Sequence, residues 1–263
     1  MTVTAQTCEE LRPAAGNSRR RKRPRPILLA LASVGLMSLT AVVLIPVGCA
    51  TLFRARTVYS ACARLCCLGI LRLYGVGVRV HQVRPFPREQ TIYISNHSST
   101  LDLFVLVALG LPNCRFFLSG FLRKYVPLGF VAWMMGTFFT VPQDRPAERT
   151  RIFQRAERVL RRTKESVYLS PEGGRITTGQ IGHFNKGAFH LATNLQVPIV
   201  PLYFEIPRRV DPGRGYDAQP GTVHVHVLPA IDTTTWTLDD LIANKERVRQ
   251  IFVRVHEGAR HAS

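Results

Sequence analysis

Thr91-Ile92-Tyr93-Ile94-Ser95 runs straight into Asn96-His97-Ser98-Ser99-Thr100-Leu101-Asp102. The first five residues are β-branched or aromatic apart from the terminal serine, the composition of a strand. The next five are polar and read as a turn. The apolar residues at 101–109 then read as a helix, with Ser98, Ser99 or Thr100 available as its cap. Working outward, the same alternation recurs. Strands are expected at 78–83, 91–95, 115–118, 137–141, 166–170, 198–204 and 222–227. Helices are expected at 101–109, 121–135, 147–163, 186–194 and 238–257. Strands alternating with helices predict an α/β domain, a mixed and mostly parallel sheet flanked by helices. Ligands in such folds sit beyond the carboxyl ends of strands, so the turns that follow strands are where chemistry is sought.

The amino-terminal third reads differently. Residues 1–26 are expected to be a disordered basic tail that ends in Arg19-Arg20-Arg21-Lys22-Arg23-Pro24-Arg25. An uncharged apolar run follows from Ile27 to Phe53 and stops at Arg54. It exceeds the roughly 20 residues a bilayer span needs and is too long for the core of a secretory signal. Residues 57–75 are weaker: Arg64 and Arg72 lie near one helical face, as in an amphipathic interfacial helix. Residues 27–75 therefore read as a membrane anchor, either a span plus interfacial helix or a helical hairpin broken at Pro46 and Gly48. The hairpin, with its basic tail in the cytoplasm, leaves residues 76–263 facing the cytoplasm as the catalytic domain.

Charge points to a polyanionic partner, nucleic acid or an anionic membrane surface, and the apolar segments separate the two. The 263 residues carry a formal net charge of +18 and are 46% hydrophobic, which excludes a wholly disordered chain and favours contact with polyanions. The basic residues are scattered, and no helix-turn-helix, zinc-finger or stacking-aromatic pattern accompanies them, so no nucleic-acid partner is expected. The six cysteines form no paired CxxC set, and neither a zinc site nor a disulfide framework is expected.

Three stretches carry candidate chemistry. His97 and Asp102 are spaced so that a carboxylate in the first turn of the helix can fold back to one imidazole nitrogen and leave the other free. That is the base-orienting half of a serine hydrolase triad without the enzyme nucleophile, suited to a substrate hydroxyl. After the strand at 166–170 comes Pro171-Glu172-Gly173-Gly174-Arg175, a turn whose backbone N–H groups and guanidinium suit an anion. Lys186 follows at the start of a helix, another place where anions are favoured. Between them, Gly136 to Arg145 is a strand that delivers Arg145 to a loop.

In this order, the pieces resemble the glycerolipid acyltransferase family, which includes the lysophosphatidic acid acyltransferases. The family's NHxxxxD block is matched by Asn96, His97 and Asp102. Its glycine–aromatic–arginine block is matched by Gly136, Phe139 and Arg145. Its EGTR block reads Glu172-Gly173-Gly174-Arg175, with glycine in place of threonine, and its VPIVP block is Val197 to Pro201. The second block is lengthened by Pro142-Gln143-Asp144 before its arginine. The resemblance covers roughly residues 75–230. It implies acyl transfer from acyl-coenzyme A or acyl carrier protein, as co-substrate, to the free hydroxyl of a lysophospholipid such as 1-acyl-glycerol-3-phosphate. It implies His97 and Asp102 as catalytic residues, and Asn96, Arg145, Glu172, Gly173, Gly174, Arg175 and Lys186 as acceptor contacts. Neither metal nor bound cofactor is implied, and the partners are membrane phospholipids, the acceptor and the thioester donor. Other lysophospholipids, a lyso-aminolipid and glycerol-3-phosphate stay open as acceptors. A non-catalytic membrane lipid-binding protein is the alternative of another class.

Overall fold

The computed structural model describes residues 26–211 and 218–261, so the basic tail, with Cys8 and the Arg19–Arg25 cluster, lies outside the described residues. All seven expected strands form: β1 (Val76–His81), β2 (Ile92–Ser95), β3 (Cys114–Ser119), β4 (Phe138–Thr140), β5 (Ser166–Leu169), β6 (Ile199–Glu205) and β7 (Gly221–Val227). They make one sheet in the order β1-β7-β6-β2-β5-β3-β4. Every neighbouring pair is parallel except β6 and β7. All four residues of β2 are buried, because the central strand is covered on both faces.

Helices cover those faces unequally. Tyr93 and Tyr168 point to the side of α2 (Arg56–Leu73), α3 (Asp102–Leu109) and α4 (Val126–Met134). Ile92 and Ile94 point to the side of α5 (Pro146–Thr163), α6 (Gly187–Leu195) and α7 (Leu241–His261). The alternation is the two-residue period of a strand dividing its side chains between two cores.

The single helix expected at 121–135 is replaced by a 3-10 turn at Gly120–Lys124 followed by α4. Pro127 lacks the N–H that would continue the turn and instead occupies the first turn of the new helix, where that N–H has no intrahelical partner.

The break expected at Pro46 and Gly48 also falls elsewhere. Helix α1 (Pro26–Ala50) runs through both residues, and the chain turns at Leu52 and Phe53, both at positive φ. Helix α2 then packs on α1 and on α3, so it is a layer of the domain. Its Arg64 donates from Nε to the carbonyl of Ala108 at the end of α3, at 3.0 Å.

The topology positions the site. β5 and β6 flank β2, both parallel to it, with Ile94 opposite Leu169 and Ser95 opposite Leu202. The turns that leave the carboxyl ends of β2 and β5 therefore emerge side by side.

Candidate active site

The turn after β2 is built around one carboxylate. Asp102 is buried at the start of α3, and its Oδ2 accepts from His97 Nδ1 at 2.6 Å, Ser98 N at 2.8 Å and Ser99 N at 2.9 Å. A carboxylate is an acceptor, so Nδ1 carries the proton and Nε2 of a neutral imidazole is left basic. His97 is partly exposed and lines the main cavity. The expected serine or threonine cap of α3 is not made, because the helix begins after Leu101 without a side-chain cap. Ser99 instead accepts from Leu101 N and gives its own hydrogen to Asp211, a residue 112 positions away that also accepts from the amides of Thr100 and Leu101. Two carboxylates thus clamp one six-residue turn.

The turn after β5 holds His97 by its backbone. Glu172 Oε2 accepts from His97 N at 2.5 Å, its Oε1 accepts from Gly182 N at 2.7 Å, and Ile176 N donates to the carbonyl of His97 at 2.7 Å. Burial pushes the Glu172 carboxyl above its ordinary range, against the two amides and His97, which favour its ionised form. Glu172, expected among the acceptor contacts, is therefore turned inward to its own fold, where its partners are main-chain groups. Asn96 departs from expectation in the same way. Its Oδ1 accepts from Phe204 N at 2.7 Å and its Nδ2 donates to the Phe204 carbonyl at 2.9 Å. The amide side chain so extends the pairing of β2 with β6 by one step.

Gly173 sits at φ +70°, and a Cβ there would lie 2.6 Å from Nδ2 of Asn185. That amide donates to the carbonyls of Pro171 and Glu172 and staples the turn. Gly174 differs: a Cβ there would meet nothing within 4 Å.

A cavity of about 1040 Å³ joins these parts. Its polar lining includes His97, Thr100, Arg149 and Arg175, together with Gly173 and Gly174. Its apolar lining includes Phe104, Leu118, Leu122 and Leu128, and Val34 and Met37 of α1. Arg175 donates from Nη1 to Thr100 Oγ1 at 2.5 Å, which ties the second turn to the first. Two expected cations are elsewhere. Arg145 is exposed, 3.8 Å from Glu148, and Lys186 is exposed at the start of α6; neither lines the cavity. Arg149 takes the place expected of Arg145, held by donation from Nη1 to the Val141 carbonyl at 3.0 Å. Arg145 precedes α5 in a non-helical conformation, whereas Arg149 lies in the first turn of that helix, within reach of the chain that leaves β4. Sequence reading also missed Asp211, Asn185 and Ser170, whose buried Oγ has no partner among the described residues and which lines the cavity. Asn185 had a signal, since it directly precedes Lys186; Asp211 had none. Among the described residues, no group of three or more His, Cys, Asp or Glu is placed to hold a metal ion.

Residues 77–205 match the family described as Acyltransferase. The human 1-acyl-sn-glycerol-3-phosphate acyltransferase alpha is 32% identical over 223 residues, covering 84% of this chain and 77% of that protein. The 1-acyl-sn-glycerol-3-phosphate acyltransferase of Saccharomyces cerevisiae is 30% identical over 234 residues, covering 86% and 74%. The crystal structure of the 1-acyl-sn-glycerophosphate (LPA) acyltransferase PlsC from Thermotoga maritima shares the fold with a TM-score of 0.69 at 18% identity, covering 90% of this chain and 98% of that one.

Proposed function

This chain belongs to the glycerolipid acyltransferase family, and on that premise we propose that it moves a fatty acyl group from a thioester carrier to the free hydroxyl of 1-acyl-glycerol-3-phosphate, giving phosphatidic acid. One observation carries the reading: a single cavity is lined by the imidazole of His97, by Arg149 and Arg175, and by apolar side chains reaching to α1. A lysophospholipid has the matching parts, a hydroxyl, a phosphate and an acyl tail.

In this reading Nε2 of His97 takes the hydroxyl proton as the acceptor oxygen attacks the thioester carbonyl. The new C–O bond forms, the tetrahedral intermediate collapses, and the C–S bond breaks. The imidazolium returns its proton to the departing sulfur. Asp102 keeps Nδ1 protonated and stabilises the imidazolium, while Glu172 fixes the backbone that carries the ring. Arg149 and Arg175 hold the acceptor phosphate with charge-assisted hydrogen bonds. The donor is acyl-coenzyme A or acyl carrier protein, and the site faces the cytoplasm.

General acid–base assistance contributes about 10²–10⁴-fold. We expect His97→Ala to lose that much in kcat, measured as thiol release dependent on lysophosphatidic acid, with an unchanged melting temperature. Near-normal turnover by His97→Ala would remove His97 from the mechanism. The open space beside Gly174 favours a second reading, an acceptor with a larger head group, so other lysophospholipids and a lyso-aminolipid belong in the same assay.

A further inference from the structure

The sequence divides sharply by charge sign. No Asp or Glu occurs between Glu10 and Glu89, nor between Asp102 and Asp144. The first stretch holds α1 and α2, and the second holds the 3-10 turn and α4. These are the elements that gather around α1, since α4 packs along it and a Cβ at Gly48 would lie 2.9 Å from Met134 of α4. Helix α1 touches the domain from Ala30, which lines the cavity, to Gly48. At a 1.5 Å rise, the 18 steps between those two residues cover about 27 Å, nearly the thickness of a hydrocarbon core. A helix held by its domain over that length cannot enter lipid without taking its neighbours with it.

The neighbours are dressed for lipid. Val126 is 75% exposed, Phe121 57% and Trp133 53%, with Tyr125 and Phe53 also exposed. Trp133 packs on Phe53 at 5.5 Å, so the aromatic patch is continuous from the end of α1 to α4. Arg123 and Lys124 flank it, Lys124 lying 5.7 Å from the centre of the Phe121 ring. Exposed aromatics beside cations, with no carboxylate near in sequence, match the boundary between acyl chains and anionic head groups.

We infer that residues 121–133 form a second membrane-contacting surface, seated with α1 in the acyl–head-group boundary of an anionic leaflet. Phe121, Leu122, Tyr125 and Val126 also line the cavity, so this surface is the wall through which a lipid passes from the bilayer to His97. The inference goes beyond the proposed reaction and is tested without turnover, so its failure would leave acyl transfer standing.

The chain has two tryptophans, Trp133 and the buried Trp236. The full chain is reconstituted in phosphatidylcholine–phosphatidylglycerol vesicles, with plain or brominated acyl chains. Trp236→Phe isolates Trp133; wild type compared with Trp133→Phe gives the same answer should Trp236→Phe fail to fold. We expect brominated lipid to cut Trp133 emission by about twofold or more, with little effect of aqueous iodide. Quenching by iodide but not by brominated lipid would overturn the inference. Protection from both would also overturn it, and would mean that a second protein surface covers the patch.

Discussion

Arg145 and Arg149 stand four residues apart, yet only Arg149 reaches the cavity, and the difference is measurable. A hydrogen bond to a charged group is worth about 1.5–3 kcal/mol, so Arg149→Ala should raise KM for a phosphate-bearing acceptor by about tenfold to a hundredfold. Arg145→Ala, which removes one exposed ion pair, should change it by less than about threefold. Steady-state kinetics on both variants checks the assignment, and equal effects would refute it. The adjacent glycines offer a second contrast. Gly173→Ala places a side chain at positive φ against the amide of Asn185, at a cost of about 1–3 kcal/mol. It should lower turnover at least tenfold by loosening the turn that holds His97. Gly174→Thr meets open space, so it should leave turnover on lysophosphatidic acid within about threefold and select against larger head groups. Acceptor profiles of the two variants separate these effects.

At the scale of elements, the sheet works with two differently built ends. The carboxyl ends of β2 and β5 carry the polar turns, whereas the opposite end is closed by a buried ion pair. Arg115 of β3 donates from Nε to Glu165 Oε2 at 2.7 Å, just before β5, and Arg56 of α2 lies 3.4 Å from the other carboxylate oxygen. Arg115 also donates to the Gly136 carbonyl, which links β3 to the turn before β4. Removing one member of a buried pair costs about 3 kcal/mol or more, moderated here because Arg56 remains. Arg115→Ala should therefore lower the melting temperature in detergent by about 6–12 °C. Activity per folded molecule should stay close to wild type, because the pair lies at the end of the sheet away from His97. A stable Arg115→Ala would show that Arg56 alone compensates Glu165.

At the scale of the whole molecule, α1 and α2 share one core with α3 and the sheet. Leu44 of α1 and Tyr59 of α2 are fully buried in the same cluster as Val105 of α3. From that continuity we propose a re-entrant arrangement rather than a lone span carrying its domain on the far side. Protease added to sealed vesicles should cut residues 76–261 only when the cytoplasmic face is outward. Cleavage of that part from the opposite face would reverse the proposed orientation.

The amino-acid sequence by itself determined the strand–helix alternation, the mostly parallel sheet, the long apolar helix α1 and the His97–Asp102 pair. These follow from local physics: a two-residue strand period, a run of apolar residues, and a carboxylate five positions from its imidazole inside one turn. Sequence could also place the glycine turn at Gly173, since a tight turn that ends a strand calls for positive φ. Tertiary structure alone decided which residues line the cavity and which face the protein. Asn96 pairs with Phe204, Glu172 with His97 and Gly182, and Ser99 with Asp211. Three of these four contacts cross 75 or more residues, and none is encoded in spacing. They depend on which strands become neighbours and in what register, and β2 between β5 and β6 is a product of the folded sheet. The start of α5 at Pro146 likewise put Arg149 in the helix, lining the cavity, and left exposed Arg145 before it.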